Sequence, residues 1–325
     1  MANGPPRPIV VVTGGVGFIG FHLTRALILA GNTVRVVDDL SDAPYPRVWK
    51  ERNAADLTRE LGDHFSLTVA CVTDRAAQLP VYRGAESVIH LAGLAGVRPS
   101  FRDPARYAKV NVEGTATTLE LAREVSAKRY LFASSSSVYG NSTPLPAHED
   151  APAVVPESPY AASKRSAELV AASVARIAPG LPITALRFFT VYGPRQRPEM
   201  AITLFTRAIL EGRAITVFCD GSMRRDFTHV SDIVRGIALA KDRAPAGFRA
   251  YNLGSGSPIG LGELVTRIGE TCGKTPTITR ADVPPGDVDA TFADIARANR
   301  ELGWKPSVAL DVGLASVRDW VASNP

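Results

Sequence analysis

Cysteine and methionine are scarce in this chain, with three of each among 325 residues. Cys71, Cys219 and Cys272 are odd in number and widely spaced, and none stands in a CxxC pair or a Cys/His cluster. That spacing argues against a disulfide framework. It also indicates no metal site.

Long apolar runs and blocks of one charge are lacking too. The N-terminal residues 1–8 carry no charged start followed by a long apolar segment, and no later run approaches the length of a membrane span. The 37 basic and 32 acidic residues are interspersed, with a net charge of +5. This favours a mixed solvated surface over a nucleic-acid or membrane patch, although a few arginines could instead surround an anionic substrate. We expect a cytoplasmic protein.

Glycine, by contrast, is concentrated at one early turn. The β-branched run 9–13 ends at Gly14-Gly15-Val16-Gly17-Phe18-Ile19-Gly20, and helical periodicity follows from 21 to 30. Glycines at 14, 17 and 20 permit a tight turn, close approach of a pyrophosphate to backbone N–H groups, and close packing of helix on sheet. A second apolar run ends in Asp38, near the ~20-residue separation typical of the carboxylate that binds ribose. The pattern predicts NAD in preference to NADP, and Asp39 could share the role of Asp38.

Strand-like and helical segments alternate through the first half of the chain. Further strands are predicted at 65–72, 87–91, 129–133 and 183–189. This alternation predicts an α/β fold, a Rossmann-type doubly wound parallel sheet. Beyond it, loops rich in Arg, Pro and Gly indicate a smaller C-terminal α/β domain. We predict an NAD-binding domain of residues 1–188 plus about 227–253, and a substrate domain of about 189–226 plus 254–325.

A serine run and a tyrosine-lysine pair suggest the chemistry. Ser134 to Ser137 follow the fifth predicted strand, and Tyr160 and Lys164 stand in the sequence YAASK. Four residues apart on a helix, the phenol and the ammonium lie on one face. A neighbouring cation favours the phenolate and would move its pKa from ~10 towards the operating pH. We predict that Tyr160 is a base whose target oxygen is held by a serine hydroxyl.

Five ordered motifs carry a resemblance to a known family. They are TGGVGFIG at 13–20, NVEGT at 111–115, SSSSVYG at 134–140, YAASK at 160–164 and RDFTHVSDI at 225–233. Together they resemble the extended short-chain dehydrogenase/reductase family, and within it the NAD-dependent nucleotide-sugar epimerases and dehydratases. The segment RFFTVYGPRQRPEMA at 187–201 is similar to that of UDP-glucuronate 4-epimerases.

The resemblance implies a mechanism and a set of contacts. Tyr160 would remove the proton of the sugar 4-hydroxyl, Ser135 would hydrogen-bond that oxygen, and Lys164 would bind the nicotinamide ribose. Hydride would pass from C4 to NAD and return to the other face of a 4-keto sugar. A homodimer through the helices starting near Asn111 and Tyr160 is also implied. Further expected cofactor contacts are Phe18, Ile19, Val72, Leu91, Ala92, Gly93 and Phe188.

Ser136 and Ser137 select among the reactions of the family. Dehydrating relatives carry an Asp-Glu pair there, and decarboxylating relatives carry glutamate at the second position. Serine is neither a useful acid nor a useful base near neutral pH, so epimerisation is favoured. With Thr190, these hydroxyls could hold the glucuronate carboxylate out of the alignment that releases CO₂. Alternatively, they only cap backbone groups.

Other side chains are expected to recognise the nucleotide. By resemblance, Arg225 binds the UDP phosphates and Arg197 closes over the diphosphate or sugar, although either could be an ordinary surface arginine. Thr216 and Phe218 resemble residues of a uracil-binding strand, and Asp287 resembles a ribose contact.

The expected activity is NAD-dependent conversion of UDP-glucuronate to UDP-galacturonate. The same chemistry on UDP-glucose and UDP-galactose is the nearest alternative, followed by another nucleotide-sugar reaction of the family. A non-catalytic NAD-sensing module is a third possibility. One departure concerns adenine, because Ala70-Cys71 replaces the Gly-Asp pair that is frequent in relatives.

Overall fold

The computed structural model describes residues 6–42, 46–218, 223–281 and 290–324. Seven of its strands form one parallel sheet, as the alternating pattern predicts. The strands are β1 (Ile9–Thr13), β2 (Thr33–Asp38), β3 (Phe65–Val69), β4 (Ser87–His90), β5 (Arg129–Ser135), β6 (Ile183–Phe188), β7 (Thr190–Tyr192), β8 (Ile215–Phe218), β9 (Arg224–Arg225), β10 (Phe227–His229), β11 (Phe248–Leu253), β12 (Ile259–Gly260) and β13 (Ile278–Ala281).

Helices cover both faces of this sheet, whose strand order is β11-β6-β5-β4-β1-β2-β3. The helices are α1 (Phe18–Leu29), α2 (Arg47–Leu61), α3 (Arg75–Tyr82), α4 (Val97–Arg102), α5 (Pro104–Ala108), α6 (Gly114–Glu124), α7 (Pro159–Ile177), α8 (Ala201–Leu210), α9 (Val230–Arg243), α10 (Leu261–Cys272) and α11 (Leu310–Ser323). Single π-helical turns occur at Lys109–Glu113 and Ala298–Leu302, and 3₁₀ turns at Gly62–His64 and Ser136–Tyr139.

The side chains of β1 show why the sheet is covered twice. Val10 and Val12 join the core that contains α1 and α9, whereas Val11 joins the core that contains α6 and α7. Successive strand residues point to opposite faces, so a run that is apolar throughout must be buried on both. The doubly wound fold is therefore confirmed.

A third core lies away from the large sheet. It is formed by α8, β8, α10 and α11, with Phe205, Val217, Leu264 and Val317 among its buried side chains. The helix α11 lies in a C-terminal part of the chain for which the sequence pattern predicts no helix or strand. The division into two domains at the stated boundaries stays a prediction.

Two strand ends position the candidate site. β5 and β6 pair in parallel with Ser135 opposite Phe188, so both residues lie at the same edge of the sheet. The helix α7 begins at Pro159, where the Ser158 hydroxyl accepts a hydrogen bond from Ala161 N. Proline at the first helical position and serine before it are typical of a helix start. That start places Tyr160 in the first turn of α7.

Within the ranges described above, no helix is both long and apolar enough to cross a membrane.

Candidate functional site

One cavity of about 870 Å³ lies along the carboxyl edge of the sheet. In parallel α/β sheets this is the edge at which ligands bind. The cavity brings together every residue that the sequence predicts for the site, except Asp287, which lies outside the described residues. Those residues are Gly14, Gly17, Phe18, Ile19, Gly20, Asp38, Asp39, Val72, Leu91, Ala92, Gly93, Ser135, Ser136, Ser137, Tyr160, Lys164, Phe188, Thr190, Arg197, Thr216, Phe218 and Arg225.

The glycine turn at the start of α1 has the backbone that a dinucleotide requires. Gly14 has φ +70°, and a Cβ atom there would lie 2.7 Å from Ala92 N. A Cβ atom on Gly20 would lie 2.0 Å from the Gly14 carbonyl oxygen, so a side chain there would force the helix away from the turn. The turn leaves room for a pyrophosphate beside the helix N-terminus, which is the arrangement that binds one. These residues fit NAD.

Asp38 ends β2, and its carboxylate is buried. Burial raises the pKa of this carboxyl group, while the Lys50 ammonium opposes that shift. Lys50 Nζ is 3.7 Å from a carboxylate oxygen of Asp38 and 3.7 Å from one of Asp39. Lys50, on α2, is a cavity residue that the sequence reading missed. No local motif marks it, because its burial arises from the packing of α2 against α1 and β3.

Tyr160 is enclosed between the serine run and Tyr107, whose ring meets its own edge-on at 6.2 Å. Burial raises the pKa of the Tyr160 phenol above its usual value, while a hydrogen bond with Ser135 and the charge of Arg197 lower it. The groups that favour the phenolate here are thus Ser135 and Arg197. Lys164, the cation that the sequence predicts to favour the phenolate, is not among the groups that shift this pKa.

Lys164 points instead at the end of β5. Its Nζ donates to the Ala133 carbonyl oxygen at 2.9 Å. Burial lowers the pKa of Lys164 to about 8, and the Glu168 carboxylate, one turn further along α7, opposes that shift. Since the pKa lies close to neutral, small changes in the surroundings alter how much of this lysine is charged.

Glu168 is the centre of a buried charge network under the site. Arg187 donates to both of its carboxylate oxygens, through Nε at 2.8 Å and Nη2 at 2.8 Å. The Ser134 hydroxyl donates to the same carboxylate at 2.6 Å, and Arg165 adds a further bond at 3.0 Å. Burial raises the pKa of Glu168, but the hydrogen bonds and charge of Arg187, with the bonds from Ser134 and Arg165, together hold it below its usual value. Ser134 therefore faces the interior and ties the serine run to α7 and β6.

Asn111 fixes the backbone on the other side of Lys164. Its side chain accepts from Leu94 N at 2.8 Å and donates to Leu94 O at 3.0 Å and to Ser163 Oγ at 2.9 Å. It lies in the π-helical turn Lys109–Glu113, between α5 and α6. Such turns occur often at functional sites, because the extra residue re-aims a side chain.

The serine run caps itself and also faces the cavity. Ser137 N donates to Ser135 Oγ at 3.1 Å, and Ser135 Oγ donates to Ser137 Oγ at 3.1 Å. The Ser136 and Ser137 side chains line the cavity beside Thr190. Local capping and ligand binding are thus compatible in this geometry.

Arginines and the Phe218 ring line the far end of the cavity. The Arg98 guanidinium lies 5.1 Å from the centre of the Phe218 ring. Arg98, on α4, is a second cavity residue that the sequence reading missed. Arg197 Nη1 donates to the Glu199 carboxylate at 3.1 Å. Together with Arg225, these side chains provide positive charge for an anionic ligand.

Comparison with known proteins identifies the family. A model of the NAD dependent epimerase/dehydratase family matches residues 10–254. The chain belongs to this family. The matched range includes the glycine turn, the serine run and the Tyr160-Lys164 pair, so the family predicted from the motifs is confirmed.

Similar proteins within the family include 4-epimerases of UDP-sugars. A UDP-glucuronate 4-epimerase of Thermodesulfobacterium geofontis is 36% identical over 318 residues, covering 97% of this chain and 96% of the relative. The solved UDP-glucuronic acid 4-epimerase from Bacillus cereus, in complex with UDP-glucuronic acid and NAD, superposes with a TM-score of 0.89 at 31% identity, covering 97% of this chain and 99% of that one. A UDP-glucose 4-epimerase from Thermotoga maritima with UDP-glucose has a TM-score of 0.86 at 31% identity, over 97% of this chain and 99% of that one.

Among the residues that the structure describes, no group of three His, Cys, Asp or Glu side chains could hold a metal ion.

Proposed function

We propose that this protein is an NAD-dependent isomerase that converts UDP-glucuronate to UDP-galacturonate by inversion at C4. One observation carries the proposal: Tyr160 and Ser135 adjoin Ser136 and Ser137 in the cavity. The resemblance implies that relatives which eliminate or decarboxylate carry acids at these serine positions. The similarity to UDP-glucuronate 4-epimerases over nearly the whole chain supports it.

NAD is the cofactor, and it supplies a hydride acceptor and donor at C4. The glycine turn, Asp38 and Lys50 would hold its adenosine half, and Lys164 and Phe188 its nicotinamide half. Tyr160 is proposed to take the proton from the sugar 4-hydroxyl, whose oxygen Ser135 holds by a hydrogen bond. The same phenol then returns the proton when the 4-keto sugar is reduced on its opposite face.

The carboxylate of the sugar needs its own binding groups. A 4-keto uronate is a β-keto acid, and it loses CO₂ when the breaking bond aligns with the carbonyl π system. Hydroxyl donors from Ser136, Ser137 and Thr190 would hold the carboxylate away from that alignment. Because serine neither donates nor accepts protons readily near neutral pH, the intermediate is also spared elimination.

Arginines supply the charge that the diphosphate requires. Arg197 and Arg225 line the cavity, and Arg98 reaches it from α4 beside Phe218. Guanidinium forks match phosphate oxygens in pairs. Phe218 and Thr216 are proposed to contact uracil, and Asp287 remains a proposed ribose contact.

A neutral hexose is the second candidate substrate. The TM-score with the Thermotoga maritima UDP-glucose 4-epimerase is 0.86, close to the 0.89 obtained with the Bacillus cereus UDP-glucuronic acid 4-epimerase. Fold similarity alone therefore supports a neutral hexose almost as well as the uronate. Purified protein should therefore be incubated separately with UDP-glucuronate and with UDP-glucose, and the products followed by NMR. We expect UDP-galacturonate from the first substrate. Turnover of the second should be slower by about tenfold or more, since the lost hydrogen bonds to a charged group contribute about 1.5–3 kcal/mol. Turnover of UDP-glucose alone would overturn the proposal.

A homodimer through α6 and α7 is the proposed assembly. Leu169 and Ile177 on α7 are 53% and 72% exposed in the single chain, and both are apolar. Pairing of these helices between two chains would cover them. Light scattering at micromolar concentration should give twice the chain mass of 34.6 kDa, and a monomer would refute the assembly. A cytoplasmic location stays a prediction.

A further inference from the structure

The turn that follows β7 connects the two ends of the cavity through Arg195. This residue has φ +67°, in the left-handed region of the backbone that residues other than glycine seldom adopt. Residues held there are stabilised by their surroundings, and they cluster where geometry matters for function. The contacts of Arg195 show what holds it.

The Arg195 guanidinium is anchored on the cofactor-binding half of the chain. Its Nη1 donates to Asn53 Oδ1 and its Nη2 to Asp56 Oδ2, each at 2.5 Å. The guanidinium carbon lies 3.9 Å from the centre of the Phe21 ring on α1. A guanidinium group that donates to two acceptors and also stacks on an aromatic ring is fixed in a single orientation.

Asn53 continues this connection to the glycine turn. It is 4% exposed, and its Nδ2 donates to the Val16 carbonyl oxygen at 2.9 Å. Val16 lies inside the turn whose N–H groups would meet the pyrophosphate. The two ends of one buried amide thus contact the cofactor turn and Arg195.

A second contact ties the same turn to α1. The His22 ring nitrogen Nε2 lies 2.9 Å from the Pro194 carbonyl oxygen. Burial lowers the pKa of His22 to about 4, so the ring is neutral near pH 7 and donates from Nε2.

The other side of the turn reaches the substrate end. Gln196 is 2% exposed, donates to Val191 O at 2.7 Å and accepts from Thr203 Oγ1 at 3.0 Å. The next residue, Arg197, lines the cavity, and its charge lowers the pKa of Tyr160. A shift of Arg195 would therefore displace a cavity arginine whose charge also reaches Tyr160.

We propose that Arg195 is a positioning residue that couples the cofactor site to the nucleotide-sugar site. Ordering of the glycine turn by NAD is transmitted through Val16, Asn53 and Arg195 to the turn that presents Arg197. Once one ligand has ordered this shared network, the second meets a smaller entropy cost, so each ligand strengthens the binding of the other. The inference rests on the proposed function in taking UDP as the second ligand.

The test measures the release rate of NAD⁺ from the holoenzyme, without UDP and with saturating UDP. In the unaltered protein we expect UDP to slow release by about fivefold or more, the usual lower range of coupling between sites. Arg195→Met should remove this slowing while UDP still binds in calorimetry. A mutation that merely loosened the fold would speed release equally under both conditions.

The matched control is Arg59→Met. Arg59 binds the other oxygen of Asp56 at 2.6 Å from the solvent side, with 71% of its side chain exposed. It should keep the full effect of UDP. Asn53→Leu interrupts the same connection at its other end and should lose the slowing too, and the double variant should lose no more than either single one.

The inference would be overturned if UDP slowed release in Arg195→Met as much as in the unaltered protein, or if UDP did not slow release in the unaltered protein. Arg195→Lys keeps the charge without the fork, and a coupling as strong as that of arginine would also contradict it. Coupling in a protein that binds UDP but does not turn over UDP-glucuronate would count against the proposed function alone.

Discussion

The two ends of the cavity are built in different ways. At the reacting end, Ser135 and Lys164 are 7% and 8% exposed, and the buried Glu168 network lies directly beneath them. At the nucleotide end, Thr216 is exposed, and Arg197 is paired with a glutamate that is itself half exposed. The interior of the protein therefore holds the reacting groups in place, while the nucleotide contacts depend more on the ligand. Substitutions at the first end should lower kcat, and those at the second should raise KM.

The largest effect is expected at Tyr160. Tyr160→Phe removes the proposed base, so kcat should fall by about 10²–10⁴-fold, the usual contribution of a positioned acid-base group. The bound NAD content, measured after denaturation of the protein, should not change.

Tyr107→Phe is the matched control for this substitution. Its ring packs against Tyr160, and its hydroxyl donates to Ala95 O at 3.0 Å. It should retain activity within about tenfold, as expected for the loss of one such hydrogen bond. Substantial activity in Tyr160→Phe would refute the assigned base.

Glu168→Gln tests the network that supports the reacting end. Loss of one partner from a buried pair costs about 3–5 kcal/mol of unfolding free energy, because it leaves the Arg187 charge uncompensated. Urea denaturation should show this, and Glu86→Gln, which removes only a surface pair with Lys128, should lose less than about 1 kcal/mol.

The same substitution should alter the pH profile. The Glu168 carboxylate raises the pKa of Lys164, which burial has lowered to about 8. Without that negative charge the pKa of Lys164 falls further, so Lys164 loses its proton at a lower pH. The alkaline decline of kcat should move to lower pH. An unchanged pH profile would show that the Glu168 carboxylate does not control the pKa of Lys164.

A smaller effect is expected where the reacting end meets the sugar carboxylate. Ser136→Ala with Ser137→Ala should lower kcat/KM for UDP-glucuronate by about 10–100-fold, since hydrogen bonds to a charged group contribute about 1.5–3 kcal/mol. CO₂ release per epimerisation should rise. Unchanged kinetics on the uronate would show that these serines only cap the backbone.

The smallest effect is expected at the nucleotide end. Thr216→Val removes an exposed hydroxyl that lies 3.2 Å from Thr279 Oγ1. KM should rise by less than about tenfold with kcat unchanged, because one neutral hydrogen bond contributes about 0.5–1.5 kcal/mol. The exposed Thr266→Val on α10 should change neither. A lower kcat in Thr216→Val would contradict the expectation that substitutions at the nucleotide end change only KM.

The elements that the sequence predicts well are those in which local pattern and burial agree. The run 9–13 is apolar at every position and ends in glycines, so strand, turn and helix follow from it. The Tyr160 helix has a serine cap, a proline start and helical spacing. These features depend on residues close together in the chain, so the local sequence pattern is enough to predict them.

Features that the sequence does not predict arise from contacts between distant segments. Lys50 is buried because α2 packs against α1 and β3, and no local motif around residue 50 indicates that packing. The left-handed backbone of Arg195 depends on Asn53 and Asp56, which lie about 140 positions earlier. Likewise, the pKa of Tyr160 responds to Arg197 from another element.

The most direct test of the central claim uses UDP-glucuronate that carries deuterium at C4. If the hydride leaves C4 and returns to it within one closed cavity, the UDP-galacturonate formed in ordinary water keeps the deuterium at C4. Proton NMR of the product would then show no signal for H4. Replacement of the deuterium by solvent hydrogen, or formation of a pentose product without the carboxylate, would contradict the account.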